Sequence, residues 1–416
     1  MCRVSIVILF TINFLFFTHI SQAQVEGCTD PLASNYNPFS INNDGSCIYN
    51  AISISPDFTF YLESELQEIS GLIIWNDQLW AHNDNDDINI YTLDTINGKI
   101  FQSYPLRGVN INWEEISQDS DYIYIGDFGN NLNGNRTDLK ILKVYKNSLV
   151  DNSPVIDTIH FSYSDQNNFN PAGSNNTDFD CEAFIVTSDS IFLFTKQWVS
   201  NKTGLYSLSK TPGIQIAKLV STLDVQGLIT GAVYLESKRL IVLCGYSNLL
   251  EPYVYLLYGF HGSDYFNGNK RRISLSLPYH QIEGVTTKDG LKYYLSNEFF
   301  TYSGITVLQK LHIFDLSSFL GEYLATILLT VPKSKAENVV FIYPNPTTGL
   351  IRIKSVEDFS DISTIEVYDY YGKSVFLKHG YNSDIHEINL SGLSKGIYFL
   401  RILIAGIYYY HKVVLQ

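Results

Sequence analysis

Between Ile52 and Leu320 one short pattern returns along the chain. Copies opening on an acid are Glu68-Ile69-Ser70-Gly71-Leu72, Glu115-Ile116-Ser117, Glu182-Ala183-Phe184 and Glu283-Gly284-Val285, and Gly231-Ala232-Val233 is a copy without it. A turn and a second apolar run follow each: Gln78 to His82, Tyr122 to Gly126, Ile191 to Thr195, Leu240 to Gly245, Tyr293 to Asn297. Third runs come at Asn89 to Leu93, Lys140 to Tyr145, Gly204 to Leu208, Tyr253 to Tyr258 and Leu311 to Asp315. Fourth runs are clear after four copies, at Lys99 to Tyr104, Val155 to Tyr163, Gln215 to Val220 and Arg271 to Leu277. Four short strands at a period of about 50 residues predict a β-propeller, one sheet per blade. The missing fourth strand can come from Ile52 to Tyr61. That pairing would close the ring and leave no exposed sheet edge. The expectation is all-β, with five blades over 51–320 and six as the alternative. The Asn-rich interval Asp165 to Asp178 is expected as a loop on one face.

The flanks differ in kind. Met1 to Ala23 reads as a secretory signal, with Arg3, an apolar run from Val4 to Phe17, and Ser21-Gln22-Ala23 before the cut. No later stretch is long enough to span a bilayer, so the mature chain is expected to have no transmembrane segment. Residues 24–50 contain too few apolar side chains to fold around a core. A covalent staple is the expected substitute, and export makes a disulfide between Cys28 and Cys47 the natural one. Cys181 and Cys244 sit in strand-like runs, where small buried hydrophobes are expected. A linker is placed at 321–337 around Pro332-Lys333-Ser334-Lys335, and 338–416 reads as about seven short strands, an Ig-like β-sandwich.

Composition supports the strand reading through its 30 Tyr and 25 Phe, which favour half-buried pleated surfaces. The net charge of −14 argues against a nucleic-acid partner, which needs a basic face. Such an excess of acid fits a soluble exoprotein, or one whose carboxylates hold calcium.

The last segment carries an ordered set of motifs: Tyr343-Pro344-Asn345-Pro346-Thr347-Thr348-Gly349, Ile365 to Asp369 leading into Tyr371-Gly372-Lys373, Leu390 to Leu400 with Gly396 and Tyr398, and a terminus beginning at Lys412. It resembles the type A C-terminal sorting domain of type IX secretion cargo along its full length. The resemblance implies reading by the outer-membrane translocon, usual removal of the domain, and release or attachment to surface lipopolysaccharide. The cut is expected between Thr330 and Val340, and the destination is secreted or the outer-membrane surface. Gly27 to Tyr49 is similar to a short module of surface proteins from bacteria using that route. Such modules look like calcium-binding loops, for which Asp30, Asn35, Asn37, Asn42 and Asp44 offer oxygens and Gly45 a sharp turn. A disulfide-closed polar loop is the other reading.

Function in the ring is sought at its axis, where equivalent positions converge. Glu68, Glu115, Glu182 and Glu283 are expected to share that channel, with Asp84 and Asp127 adding oxygens. Like charges so close need a cation or donors, and calcium would serve. Otherwise each Glu accepts backbone amides and pins blade to blade. Trp113-Glu114-Glu115-Ile116 followed by Tyr124 to Asn131 and Arg136 resembles a signature of secreted propellers related to phytase-like and esterase-like families, with Asn112 where that pattern has Asp. If the resemblance holds it implies a calcium-dependent phosphoester or ester hydrolase, drawing on Asp84, Asp86, Asp87 and Asp127. No Gly-x-Ser-x-Gly elbow or His-Glu-x-x-His pair is present, and His82 is expected as a hydrogen-bonded strand-end residue rather than a ligand or base. A non-catalytic binding propeller for a glycan or protein ligand is the leading expectation, and the hydrolase is the alternative.

Overall fold

A computed structural model describes residues 25–329, 340–355, 362–369, 373–381, 385–404 and 407–416. The chain divides into two compact units, Met1–Gly321 and Glu322–Gln416. Its regular structure is almost all strand. The expected signal, the segment expected to be cut and Gly372 lie outside the described residues. The helix Ser317–Leu329 occupies the first part of the stretch read as linker. No helix among the described residues is long and apolar enough to cross a membrane.

The first unit repeats one antiparallel sheet around a ring. Sheet one is Ile69–Trp75, Gln78–Asn83, Asn89–Leu93 and Ile100–Pro105. Sheet two is Trp113–Gln118, Tyr122–Asp127, Lys140–Tyr145 and Ile156–Tyr163; sheet three is Asp180–Val186, Ser190–Lys196, Lys202–Ser209 and Gly213–Asp224. Their outer strands pair in parallel, Ile159 opposite Gly213, which merges the two sheets. Sheet four is Leu228–Leu235, Leu240–Tyr246, Pro252–Tyr258 and Asn269–Leu275, with the two-residue strand Ser53–Ile54 parallel to the last, so the stretch Ile52 to Tyr61 expected as one strand is divided between sheets four and five. Sheet five is Ile282–Thr287, Lys292–Asn297 and Lys310–Asp315, and its outer strand is Phe58–Tyr61 from the start of the unit, Lys310 opposite Tyr61. Each first strand packs against the next, and that of sheet five against that of sheet one.

The residues explain this arrangement. Second strands are apolar on both faces, as in the fully buried Leu240–Tyr246, because a sheet lies on either side. Outer strands alternate, as in Ile156–Tyr163, because one face meets water. Apolar clusters fill the junctions: Trp80, Ile90 and Leu142 between sheets one and two, Phe128, Phe161 and Phe184 between two and three, Phe194, Leu243 and Leu257 between three and four, Leu79 and Ile313 between five and one. Burying one Phe of this kind contributes roughly 2–3 kcal/mol. The Asn-rich interval after Tyr163 is a loop without strands.

The amino-terminal module is stapled by Cys28–Cys47 and seated on sheet four. Asn43 donates to Asn269 at 2.7 Å, Lys270 donates to the Gly45 carbonyl at 3.0 Å, and the Tyr258 hydroxyl donates to Asp30. Cys181 and Cys244 are free and buried.

The second unit has two sheets sharing one core. Val340–Tyr343, Leu350–Ser355 and Ile385–Asn389 form one sheet; Ser374–Tyr381, Ile362–Tyr368, Gly396–Ile404 and Ile407–Leu415 form the other. Ile351, Ile353, Ile388, Leu400, Ile402 and Val413 are buried between them.

Candidate functional site

Near its start, each first strand slips by one residue against its neighbour. The residues left out of register are Glu114, Glu182, Thr230 and Glu283, with Ser70-Gly71 in sheet one. A bulge re-aims the side chain at that point. Where it carries a hydroxyl, the hydroxyl ties sheet to sheet: Ser70 donates to the Glu114 carbonyl and Thr230 to the Ile282 carbonyl, the latter at 2.5 Å. Where it carries an acid, the carboxylates gather. The bulge therefore corrects the expected equivalence: Glu114, not Glu115, shares the position of Glu182 and Glu283, and Glu68 lies two residues before its bulge.

One residue past the corresponding pair on the second strands stand Asp84, Lys196, Tyr246 and Glu298. Two backbone bonds bring three acids together: the Asp84 amide donates to the Glu68 carbonyl at 3.0 Å, and the Phe299 amide to the Gln67 carbonyl at 2.7 Å. Carboxylate oxygens of Glu68, Asp84 and Glu298, each half-buried, lie within 4.8 Å of one another, a spacing that would hold a metal ion. Gln281 donates to Glu298 at 2.5 Å, and Asn112 donates to Glu114. Deeper in, Glu182 is ion-paired with Lys196, whose ammonium also donates to the Tyr246 hydroxyl at 3.0 Å. Asp180 accepts the Asn130 amide at 2.5 Å and the Trp198 indole at 2.8 Å.

This crowd of acids is under electrostatic stress. Burial, then the Glu68 charge, pushes Asp84 up to about 7. Burial, then the Asp84 and Glu68 charges, pushes Glu298 well above the usual carboxylate range. Burial also raises Glu114, with Glu182 and Asp84 adding to it, and raises Glu283, with Glu298 and Asp84 opposing ionisation and Lys196 favouring it. Glu283 Oε2 is buried without a hydrogen-bond partner. A cation would relieve what protons otherwise must.

Other expected site residues have different surroundings. Glu115 accepts the Ile116 amide at 2.8 Å and, across the ring, the Ala232 amide at 2.7 Å. Its carboxylate fits because the facing position is Gly231, where a Cβ would stand 3.2 Å from Glu115 Oε2 and 2.3 Å from the Glu283 carbonyl oxygen. Both its oxygens are thus spent on backbone, in the manner of the pinning role. Asp127 is fully buried against Arg136 at 2.9 Å and Lys140 at 2.7 Å. Asp87 accepts from Asn83, Asn89 and Tyr91, while Asp86 is exposed. His82 is buried, its Nδ1 is 3.1 Å from the Asn83 carbonyl oxygen, and burial lowers it to about 4, so it is neutral at pH 7. In the amino-terminal module, Asp30 accepts Tyr49 at 2.7 Å and the Leu32 amide at 2.9 Å, Asn35 bridges Ser46 and Ile48, and Asn37 and Asp44 cap the Phe39 and Ser46 amides. Asn42 lies in a two-residue strand beside Glu26–Gly27.

The reading missed Glu114, Asp180, Lys196, Tyr246 and Glu298. Signals existed: Asp180 precedes Glu182 at the spacing by which Glu68 precedes Ser70, and Glu298 follows its strand as Asp84 does. Gly129 leaves room for Glu114 in a way only the structure shows, since a Cβ there would stand 1.7 Å from Asn112 Nδ2 and 2.0 Å from Glu114 Oε1.

In the second unit the expected motif residues lock the terminal strand. Asn345 donates to the Lys412 carbonyl at 2.6 Å and accepts the Val414 amide at 2.9 Å. Gly349, at φ 146°, lies where a Cβ would press on Ser391, and Tyr398 donates to the Ser394 carbonyl at 2.6 Å. Residues 341–416 match the family described as the secretion system C-terminal sorting domain. The carboxy-terminal unit is a type IX sorting domain. A chain bearing this sorting domain is exported by type IX secretion to the cell surface or the extracellular space, which makes the secretion machinery its partner. The sorting domain says nothing of the ring. No curated protein matches the chain. Among solved structures, a chain from "Crystal Structure of Mitotic Checkpoint Complex" is 10% identical with a TM-score of 0.35, covering 64% of this chain and 97% of that one. A likeness that distant bears on neither fold nor function.

Proposed function

We propose that residues 51–320 are a five-bladed β-propeller whose channel mouth binds a divalent cation, calcium being the ion its chemistry suits, and that this centre makes the exported chain a calcium-dependent phosphoester or ester hydrolase. The observation that carries the reading is the trio Glu68, Asp84 and Glu298, half-buried and with ligand oxygens within 4.8 Å. An all-oxygen donor set without His or Cys suits calcium rather than zinc. The cyclic packing of first strands and the outer strand supplied by Phe58–Tyr61 support the propeller and its count. Two sheets on one core support an Ig-like sandwich for the sorting domain.

A calcium ion there would supply polarisation of a substrate oxygen and a more acidic bound water. The chain's own residues would hold the site open: Gln281 and Asn112 fix Glu298 and Glu114 by hydrogen bonds, and Glu115 closes the channel behind them. Half-buried carboxylates leave the trio open to solvent and substrate, which favours catalysis over a purely binding role. The amino-terminal module reads better as a stapled cap on sheet four, because its side-chain oxygens are engaged in turns. On the export side, a signal at 1–23, a cut within 330–339 and attachment to lipopolysaccharide complete the proposal.

The test is calcium calorimetry on the full chain beside hydrolysis of p-nitrophenyl phosphate and p-nitrophenyl acetate, with and without a chelator. Calcium binding and chelator-sensitive turnover, both lost in Glu298→Gln, are expected. Absence of calcium binding would sink the reading. Binding without turnover would leave a module for a glycan or protein ligand.

A further inference from the structure

The acids at the ring centre divide by what faces them. Glu182 is ion-paired with Lys196, their side chains only 3% and 4% exposed. The Lys196 ammonium also donates to Tyr246 and stands 4.6 Å from the Trp198 ring centroid and 5.1 Å from that of Tyr246. So held, it has no room to swing away, and it is not a mobile surface cation. In register it occupies the place that Asp84 and Glu298 occupy in their own sheets. The trio Glu68, Asp84 and Glu298 has no ion-pair partner of this kind among the described residues. Between the two sets stands Glu283, 6% exposed, with Oε2 unpartnered and with Lys196, Glu298 and Asp84 as its charged neighbours. That oxygen points to a ligand the protein itself does not supply.

We propose that Lys196 is a fixed cation filling one of two cation positions at the ring centre, so that the chain takes a single divalent ion on the Glu68–Asp84–Glu298 side, with Glu283 facing both positions. This rests on the divalent-cation reading above. The physical reason is charge balance. An ammonium against Glu182 and beside Glu283 neutralises acids that would otherwise accept a second metal ion, and its repulsion keeps such an ion out. Lys196 is thereby a positioning residue: it sets how many ions bind and on which side.

The experiment is calcium titration calorimetry on the full chain at neutral pH, comparing wild type, Lys196→Met, Lys196→Arg and Lys196→Met/Glu182→Gln. Expected are about one ion for wild type, about two for Lys196→Met, and about one again for Lys196→Arg and for the double variant, in which the vacated position has lost its acid. Lys196→Met with wild-type stoichiometry and affinity would overturn the proposal and leave the cation reading intact. If wild type binds no calcium the cation reading fails; calcium binding gained in Lys196→Met would then still support the lysine as the resident cation, and its absence there would overturn that too. Should Lys196→Met unfold without metal, a melting scan in calcium decides. Recovery of the wild-type transition supports the proposal, and no recovery overturns it.

Discussion

Two groups of acid lie within the same ring, one fully buried and one half-buried, and they teach opposite lessons. Asp127 is fully buried, yet Arg136 and Lys140 both reach it, and Arg136 is tied in turn to Asp138 and to the Gly129 carbonyl. Every charge there has its complement, and the group holds a loop in shape. Glu68, Asp84 and Glu298 face one another: burial raises all three carboxyls, and repulsion from the neighbouring acids adds to it at Asp84 and Glu298, where the Lys196 charge offsets part of the rise. The same fold satisfies one buried carboxylate fully and leaves three others facing one another, the place the proposed function gives to a cation. Glu115 makes the contrast sharper. It is as deeply buried as Asp127 and lacks a cation, but two backbone amides satisfy it.

The largest test of that comparison is Asp127→Ala. Stripping the buried acid from two part-buried cations should cost about 3 kcal/mol in urea unfolding, with calcium stoichiometry unchanged. Glu115→Gln should cost about 2 kcal/mol, since one of the amides of Ile116 and Ala232 would lose its acceptor, and calcium binding should again be unaffected. Loss of calcium binding with unchanged stability in Glu115→Gln would reverse the roles assigned here. At the mouth the sign should change: Asp84→Asn should raise the stability of the metal-free chain by about 1 kcal/mol while weakening calcium binding at least roughly tenfold.

The pH dependence follows with its sign. Asp84 is raised from 3.8 to about 7, so the folded state holds a proton the unfolded chain has lost. Metal-free stability is therefore greatest below pH 3.8 as far as this group goes, and is lost as pH rises through about 7. Calcium should flatten that decline, and Asp84→Asn should reduce it, in melting scans from pH 4 to pH 8. The smallest effect expected is Arg136→Lys, about 1 kcal/mol, because a lysine keeps the charge beside Asp127 but not the fork that also reaches Gly129 and Asp138.

Much of the molecule is legible in the sequence alone. Most strand runs fall within a residue or two of the observed ones, because alternation and apolar runs are local signals that burial then respects; the run expected at Gln215 to Val220 extends to Asp224, and Ile52 to Tyr61 divides into Ser53–Ile54 and Phe58–Tyr61. The missing outer strand was recoverable within Ile52 to Tyr61 because an unfinished sheet needs an edge partner, though only Phe58–Tyr61 takes that place while Ser53–Ile54 joins sheet four. The sorting domain was legible for a different reason: Pro344, Asn345, Gly349 and Lys412 do their work within one small unit, Asn345 bonding directly to the strand that carries Lys412. The site was less legible. Trp113-Glu114-Glu115 offers two adjacent acids, and only the bulge decides which of them shares a position with Glu182 and Glu283.

The sequence by itself thus determined that the chain is an all-β cargo, where its sheets lie, and the address at its end, since each depends on neighbours in the chain or on a motif complete in itself. Tertiary structure alone decided which acids meet. Glu68 and Glu298 come from opposite ends of the first unit and are joined through the Phe299 amide and the Gln67 carbonyl. A one-residue slip turns Glu114 toward the acids while Glu115 crosses to Ala232. Register and ring closure are properties of the packed sheets, and charge density at the axis exists only once they have closed.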